Sequence, residues 1–250
     1  MVETLIKLVL APLLLLQGLY VRRVTPKLPE PTGERAGVVG SGPHMRVLVL
    51  GDSAAAGVGV SHQADALSGQ LVANLAADYR VSWTLLAQSG FGIRDVRAMV
   101  ERTATEPFDA VLVSVGVNDV TGGLSAQAWS EAVAHLLDLL LWKYSARCVL
   151  LAPVPPMHAF AALPQPLRWY LGRRARQFNV ALAKLASERV DCQVQASEFA
   201  LQGDALAVDG FHPGAPIYRL WAADTAAALR RYFADPVSLG GRLVTVPAPL

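Results

Sequence analysis

The sequence predicts an α/β protein, a three-layer α/β/α sandwich built around a parallel sheet. Short apolar runs alternate along the chain with longer segments whose apolar residues recur at helical spacing. The runs are largely apolar instead of alternating apolar with polar residues, which is typical of strands covered by helices on both faces. At 250 residues, the chain is long enough to bury such a core within one domain.

The predicted strands are short aliphatic runs that stop at glycine, serine or proline. In chain order they are 46–50, 81–87, 108–115, 148–152 and 191–197. Apolar residues at helical spacing predict the helices, at 65–78, 93–102, 125–144, 168–189 and 213–233. Ser125 is the predicted N-cap of the third of these helices. The alternation of strands and helices predicts right-handed crossovers that put helices on both faces of the sheet.

Residues 1–23 form an apolar N-terminal segment. Within it, residues 5–21 are interrupted by Lys7, Pro12 and Gln17, so the stretch is marginal against the about 20 apolar residues that span a bilayer. Basic residues follow the apolar stretch, and no small-residue cleavage signal is present. We therefore expect membrane association through residues 5–21, as an anchor or an in-plane helix, or else a helix packed against the domain. A cleaved secretion signal fits less well, so the expected location is membrane-associated or cytoplasmic.

The rest of the chain divides into three parts. Residues 24–44 are dense in proline and glycine, which predicts a linker or an extended wrap along the surface. The α/β domain itself occupies residues 45–235. Residues 236–250 form a C-terminal tail that we expect to be irregular.

Composition argues against several classes of protein. Hydrophobic residues make up 53% of the chain and charged residues 17%, a balance that argues against disorder. With 22 basic and 20 acidic residues, the chain has no strong positive field for binding nucleic acid. Two cysteines without a CxxC spacing indicate neither a disulfide framework nor a structural zinc site. The sequence does not indicate the oligomeric state.

Polar residues follow the predicted strands at the sheet edge where α/β proteins bind ligands. Ser53 comes directly after the first strand, in a Gly-Asp-Ser turn. On its own such a serine is commonly a helix cap; ester chemistry also needs a base, a group that orients the base, and donors for an oxyanion. His212 is the candidate base, because Asp209 precedes it by three residues in a turn-prone segment and can accept its Nδ1–H.

Candidate donors for the oxyanion follow the first three strands. They are the backbone N–H groups of Ser53 and Gly90 and the side-chain amide of Asn118. Glycine allows close approach of the backbone to a ligand, and asparagine supplies an uncharged N–H. Taken singly, Gly90 and Asn118 are more commonly turn residues. Their order at successive strand ends is the stronger signal.

Four short blocks, in order along the chain, resemble the SGNH hydrolase superfamily of GDSL-type esterases and lipases. They are Gly-Asp-Ser at 51–53, Gly90, Gly-Val-Asn-Asp at 116–119 and Asp-Gly-Phe-His-Pro at 209–213. The resemblance covers residues 45–233 and implies a flavodoxin-like fold with a five-stranded parallel sheet of order 2-1-3-4-5. Ala54 stands where the family's name motif has leucine, a position at which many members vary.

The resemblance also implies a role for each residue of these blocks. Ser53 would be the nucleophile, His212 the base and Asp209 its orienter, with Gly90 and Asn118 completing the oxyanion hole. The implied activity is hydrolysis of a small-molecule carboxylic ester through an acyl-enzyme intermediate, without a metal or an organic cofactor. Lipid-derived acyl esters are among the expected substrates.

Four alternatives stay open beside this function. The superfamily includes carbohydrate O-acetylesterases, and the same chemistry would serve a lysophospholipase or a thioesterase. A catalytically silent binding module would keep the fold without turnover. The presence of Ser53, Asp209 and His212 argues against the silent module.

The segment 153–171 is the predicted determinant of substrate choice. It follows the fourth strand at the active-site edge, is long for a connection and is rich in large apolar side chains. We expect these side chains to wall an acyl pocket; the alternative is that they cover the sheet as ordinary core. The candidate substrate-binding residues are Met157, Phe160, Leu163 and Trp169.

Overall fold

Six strands form one sheet at the centre of the molecule, in a computed structural model that describes residues 2–195 and 205–234. The strands are β1 (Ala36–Val39), β2 (His44–Gly51), β3 (Arg80–Ala87), β4 (Ala110–Ser114), β5 (Cys148–Leu151) and β6 (Cys192–Val194). Their order across the sheet is β1-β3-β2-β4-β5-β6. Strands β2 to β6 run parallel, and β1 runs antiparallel to β3. The predicted order 2-1-3-4-5 of the five parallel strands is confirmed.

Helices cover both faces of the sheet. They are α1 (Val2–Val24), α2 (Ser53–Ala56), α3 (Leu67–Leu75), α4 (Ile93–Arg102), α5 (Val117–Gly122), α6 (Ala126–Tyr144), α7 (Leu167–Ser187) and α8 (Ala215–Ala234). On one face, α4, α6 and α7 bury a core cluster with Leu48 and Leu50; on the other, α3 and α8 bury a second cluster with Val47 and Val49. Successive residues of β2 thus face opposite helix layers, which is why the run is apolar throughout. The predicted three-layer sandwich is confirmed.

The edge strand β1 is not among the predicted strands, because it lies inside residues 24–44, for which the sequence predicts a linker or an extended wrap along the surface. It pairs with β3 from Ala36 opposite Thr84 to Val39 opposite Val81, and its four residues are all exposed. The strand forms by backbone pairing and buries no side chain, so it leaves no hydrophobic pattern in the sequence. It makes the sheet six-stranded and covers what would be the open edge of β3.

Some element boundaries also differ. The short helices α2 and α5, of four and six residues, are not predicted, since neither is long enough to show a helical period. The predicted helix 65–78 is a 3₁₀ turn at Gln63–Asp65 followed by the shorter α3. The predicted strand 191–197 corresponds to β6, and its last two residues lie outside the described part of the chain. The predicted tail, 236–250, also lies outside it.

Helix α1 packs along one side against the start of α7. Leu14 and Val21 contact the core cluster under α7. Between them, the Gln17 side chain donates to the Gln165 carbonyl at 2.6 Å and accepts the Leu167 N–H at 3.0 Å. Among the described residues, no helix has both the length and the apolar composition needed to cross a membrane.

Candidate active site

The carboxyl ends of three neighbouring strands bring their loops side by side. Gly51, at the end of β2, pairs with Ala87 of β3 and with Ser114 of β4. A Cβ atom at Gly51 would lie 1.9 Å from the Ser114 carbonyl oxygen, so a larger residue would force the two strands apart. The loops that follow β2, β3 and β4 therefore leave the sheet from one row.

Ser53 is the first residue of α2, directly beyond β2. Asp52 caps this helix, because its carboxylate accepts the Ala54 N–H at 3.0 Å. The sharp strand-to-helix turn holds Ser53 Oγ 2.9 Å from Nε2 of His212, although 159 residues separate the two in sequence. The predicted nucleophile and the predicted base are thus within hydrogen-bond distance.

Asp209 holds the imidazole of His212 from its other side. Its Oδ2 lies 2.5 Å from His212 Nδ1, while Oδ1 accepts the backbone N–H groups of Phe211 and His212, each at 3.0 Å. Burial raises the pKa of Asp209, but hydrogen bonds from the imidazole and these two N–H groups outweigh it and leave the pKa below its usual value. An ionised Asp209 keeps the imidazole proton on Nδ1, so Nε2 faces Ser53 as an acceptor.

A tight loop carries the imidazole. The Ala207 N–H donates to the His212 carbonyl at 2.9 Å, and the Gly210 N–H donates to the Ala207 carbonyl at 2.9 Å. Gly210 has a φ of +69°, a conformation that favours glycine. Beyond the loop, the Pro213 carbonyl approaches Gly59 so closely that a Cβ atom there would lie 2.2 Å from it. Backbone contacts therefore fix where the imidazole stands.

The predicted oxyanion-hole residues lie in the loops after β3 and β4. Gly90 has a φ of +87°, and among the described residues other than its two chain neighbours no atom lies within 4 Å of where its Cβ would be, so this turn faces open space. Asn118 lies in α5, and its Nδ2 donates one hydrogen to the Phe91 carbonyl at 2.9 Å. An amide NH₂ carries two hydrogens, so this bond orients the side chain and leaves the second hydrogen for a ligand. It also brings Asn118 to the loop that contains Gly90.

Glu30, a residue with no signal in the sequence, contacts the same loop. It accepts the Ser89 backbone N–H at 2.7 Å through one carboxylate oxygen and pairs with Arg35 at 2.9 Å through the other. Arg35 in turn donates to the Ala87 carbonyl at the end of β3. Burial raises the pKa of Glu30, and the bonds from Ser89 and Arg35 outweigh it, so the pKa lies below its usual value. The segment before β1 is therefore attached to the edge of the sheet that carries the candidate active site.

The four predicted substrate-binding residues are divided between core and surface. Met157, Phe160 and Leu163 are buried in the cluster under α7, whereas Trp169 is 38% exposed. The Phe160 ring lies 5.7 Å from the ring of Phe211, the residue before His212. Phe160 therefore connects the segment 153–171 to the loop of the predicted base, while Met157 and Leu163 contribute to the core.

Two cysteines, together with the acidic and imidazole side chains, are the remaining candidates for a nucleophile or a metal ligand. Cys148 and Cys192 are free and buried, and burial raises the pKa of each thiol to about 12. Both are therefore protonated near neutral pH, which is the unreactive form of a thiol. Within residues 2–195 and 205–234, no three His, Cys, Asp or Glu side chains are grouped so that they could hold a metal ion.

Asp52 is expected to make the stability of the protein fall as pH rises. Burial, opposed by the Ala54 N–H, raises the pKa of Asp52 to about 7. An aspartate in the unfolded chain titrates near pH 3.9, so between about pH 4 and pH 7 the folded protein keeps a proton that the unfolded chain has lost. The free energy of unfolding therefore decreases across this window. Replacing Asp52 with Asn, which keeps a carbonyl acceptor for the cap, removes this contribution.

Urea denaturation at pH 5 and pH 8 measures the effect. The difference in unfolding free energy between Asp52→Asn and the wild type should shift by about 2–3 kcal/mol in favour of the variant from pH 5 to pH 8. The matched control is Asp224→Asn, a change at an exposed carboxylate on α8, which should follow the wild-type pH dependence. If the free energy of unfolding changes equally in Asp52→Asn and in the wild type between the two pH values, Asp52 is ionised throughout this range.

Most of the domain matches the sequence profile of a known family. The profile of the GDSL-like Lipase/Acylhydrolase family matches residues 49–220. This range contains Ser53, Gly90, Asn118, Asp209 and His212. No curated protein sequence matches the chain.

Solved structures share the fold at low sequence identity. A lipolytic protein of the G-D-S-L family from Veillonella parvula is 18% identical and has a TM-score of 0.58, over 75% of this chain and 99% of its own. The psychrotrophic esterase EstA from Pseudoalteromonas sp. is 17% identical, with a TM-score of 0.57 over 76% of this chain and 98% of its own. A carbohydrate esterase family 2 enzyme from Corynascus thermopiles (Myceliophthora fergusii) is 14% identical, with a TM-score of 0.56 over 84% of this chain and 69% of its own.

Proposed function

The chain belongs to the GDSL-like Lipase/Acylhydrolase family, and from this premise we propose that it is a serine esterase that hydrolyses acyl esters through a covalent acyl-enzyme. One observation carries the proposal: the hydrogen-bonded row from Ser53 through His212 to Asp209. A serine hydroxyl is a weak nucleophile until a positioned base removes its proton, and the base needs a third group to hold its tautomer.

In the first step, Ser53 Oγ attacks the ester carbonyl carbon while its proton passes to Nε2 of His212. A bond forms from Oγ to carbon, and the carbonyl π electrons move onto oxygen as the oxyanion. His212 then gives the proton to the alcohol oxygen as the carbon–oxygen bond to that alcohol breaks. Asp209 stabilises the imidazolium between these two transfers.

The second step regenerates the enzyme. A water molecule gives a proton to Nε2 of His212, and its oxygen attacks the acyl carbon. The tetrahedral intermediate collapses as the bond between the acyl carbon and Ser53 Oγ breaks, Nε2 of His212 returns the proton to Oγ, and the carboxylic acid leaves. His212 thus carries the proton in both halves of the cycle.

Asn118→Ala is expected to lower kcat by about 10²- to 10³-fold, because it removes one donor to the oxyanion. KM for a soluble p-nitrophenyl ester should change little, since the oxyanion forms only in the transition state. Steady-state kinetics measure both constants. Thr121→Ala is the control for a disturbance of helix α5 as such. It removes a hydroxyl that is bonded to the Asn118 carbonyl on the exposed side of this helix. A kcat for Asn118→Ala equal to that of the control would contradict the assignment.

Labelling with a fluorophosphonate tests the proposed nucleophile directly. The reagent phosphonylates an activated serine, and mass spectrometry of the digested protein should place the adduct on the peptide that contains Ser53. At least one ester in a graded p-nitrophenyl series should be hydrolysed, and this activity should fall as the labelled fraction of the protein rises. Absence of an adduct together with absence of turnover would favour the silent binding module.

The acyl group of the substrate is proposed to lie against Phe160. The ring contact between Phe160 and Phe211 puts this side chain next to the loop of His212, and apolar side chains beside a catalytic centre commonly receive an acyl chain. Met157, Leu163 and Trp169 complete the proposed substrate-binding set, the first two by supporting Phe160 from the core.

Phe160→Ala is expected to shift the chain-length profile toward longer acyl groups, because it opens space beside the reacting carbon. Trp169→Ala should change the relative rates for long chains alone, since Trp169 is partly exposed. The measurement is kcat/KM for p-nitrophenyl acetate, butyrate, octanoate and palmitate. If both variants have the same chain-length profile as the wild type, the acyl-pocket proposal is wrong.

The same series separates the alternative substrates. A strict preference for acetate, together with release of acetate from acetylated sugars, would favour a carbohydrate O-acetylesterase. Cleavage of acyl thioesters or of lysophospholipids at rates above those for p-nitrophenyl esters would favour a thioesterase or a lysophospholipase. A preference for medium or long acyl esters supports the function proposed here.

A further inference from the structure

Helix α1 carries an apolar face that the described part of the protein leaves uncovered. The side toward the domain is occupied by Leu14, Gln17 and Val21. The rest of the helix surface over residues 13–20 is formed mainly by side chains that are 45–65% exposed: Leu13, Leu15, Leu16, Leu19 and Tyr20. Single exposed leucines are ordinary on a protein surface, but five large apolar side chains grouped on one helix mark an interaction surface.

The charge around this face identifies the kind of partner. Residues 4–29 contain no acidic residue, while Arg22, Arg23 and Lys27 follow the apolar face. None of these three side chains forms an ion pair within residues 2–195 and 205–234. An apolar helix face that ends in unpaired basic residues fits a lipid surface with anionic head groups. A second copy of the chain would bring the same positive charge to the interface.

We infer that α1 lies in the plane of an anionic lipid surface, with Leu16 and Leu19 inserted and Arg22 and Arg23 at the head groups. The opposite side of the helix stays bonded to the domain through Gln17. Those bonds reach the segment 165–167, which belongs to the same connection as Phe160. Lipid-borne esters then become the substrate class, and this last step alone rests on the proposed function.

Vesicle flotation of the full chain tests the surface. The wild type should bind vesicles of phosphatidylcholine mixed with phosphatidylglycerol more tightly than vesicles of phosphatidylcholine alone. The double variant Leu16→Glu/Leu19→Glu should bind at least about 100-fold more weakly. Arg22→Gln/Arg23→Gln should bind the anionic vesicles about 30-fold more weakly. Trp142→Glu, a change at a side chain that is 82% exposed on α6, is the matched control and should bind like the wild type.

Several outcomes would overturn the inference. Unchanged vesicle binding by Leu16→Glu/Leu19→Glu would do so. The inference would also fail if the wild type bound no vesicles but formed a dimer that dissociates in this double variant. The substituted residues are exposed, so the double variant should hydrolyse a soluble ester as the wild type does while losing activity on esters carried in vesicles. If no variant hydrolyses any ester but vesicle binding behaves as described, the esterase proposal fails and the lipid surface stands.

A second and independent observation concerns Glu30, which lies outside residues 49–220 matched by the family profile. One of its oxygens accepts the N–H of Ser89, the residue before Gly90, and the other is held by Arg35. The structure assigns Glu30 as a positioning residue that aims the backbone N–H of Gly90 at the oxyanion. This assignment rests on the proposed function, because it requires Gly90 to act as a donor.

Glu30→Met removes the acceptor for Ser89 at similar length. It should lower kcat by about 10- to 100-fold, because small displacements of a donor strongly reduce transition-state stabilisation. KM should stay close to the wild-type value. Glu30→Gln keeps an acceptor oxygen and loses only the charge, so it should lose less kcat than Glu30→Met. The control is Glu101→Met, which breaks an exposed pair with Arg97 on α4 and should leave kcat unchanged.

The comparison between the variants decides the role of Glu30. Equal kcat values for Glu30→Met and the wild type would overturn it, and so would a fall in kcat that follows the loss of folded protein. If Glu30→Met does not fold, Glu30→Asp, whose carboxylate is one methylene short of Ser89, is measured in its place with the same expected change. A wild type that hydrolyses no ester would instead refute the proposed function.

Discussion

Replacing Ser53 with alanine is expected to lower kcat for ester hydrolysis by about 10⁵- to 10⁶-fold. Without Oγ no acyl-enzyme can form, so the remaining activity would come from water that attacks the bound ester directly. Substrate binding should persist, since alanine removes only the reacting hydroxyl. Stopped assays with the most reactive p-nitrophenyl ester, at high enzyme concentration, provide the sensitivity that this loss requires.

Ser187→Ala is the matched control for this change. The Ser187 hydroxyl bonds the Lys184 carbonyl at the exposed end of α7, far along the chain from the proposed site. Its activity should equal that of the wild type, and all three proteins should unfold at similar urea concentrations. If Ser53→Ala keeps activity within about tenfold of the wild type, hydrolysis does not proceed through Ser53.

Asp209→Asn is expected to lower kcat by about 10⁴-fold while leaving the fold intact. The asparagine carbonyl can still accept the Phe211 and His212 N–H groups that Oδ1 accepts now. Its NH₂ group would face Nδ1 of His212 and donate to it. The imidazole proton would then move to Nε2, and the base would face Ser53 as a donor instead of an acceptor.

The control for Asp209→Asn tests the tautomer specifically. Asp224→Asn makes the same chemical change at an exposed position of α8 and should keep the wild-type kcat. NMR of the ring nitrogens of His212 should show the proton on Nδ1 in the wild type and on Nε2 in Asp209→Asn. A large loss of activity without this change of tautomer would mean that Asp209 acts by another route.

The layered fold could be predicted from the sequence because a strand that is buried on both faces is apolar at every position. Val47 and Val49 face one helix layer while Leu48 and Leu50 face the other, so the whole run had to be apolar. The strand order came from the resemblance and not from any pattern in the run itself. The order of the five parallel strands agrees with that resemblance, whereas the antiparallel edge strand β1 lies outside it.

Features held by backbone bonds or by single ion pairs could not be predicted. The strand Ala36–Val39 buries none of its side chains, so its sequence is indistinguishable from that of an exposed linker. The contact of Glu30 with Ser89 joins residues 59 positions apart through one carboxylate. Neither kind of contact imposes a period on the sequence, and periodicity is what prediction of local structure depends on.

The candidate site shows the same division. Ser53, His212 and Asp209 could be selected because their spacing and neighbours are specific, and the structure has them in one hydrogen-bonded row. The side chains of the segment 153–171 could be recognised as apolar but not sorted. Whether an apolar residue faces a ligand or the core depends on how the connection folds back, as Phe160 and Trp169 illustrate.

The long separation between the proposed nucleophile and the proposed base has a consequence for biosynthesis. Ser53 leaves the ribosome 159 residues ahead of His212. At about 5–20 residues per second, the growing polypeptide spends roughly 8–30 s with the hydroxyl made and its proton acceptor still untranslated. Nascent chains, and products of messages cut short before residue 212, should therefore be harmless to cellular esters.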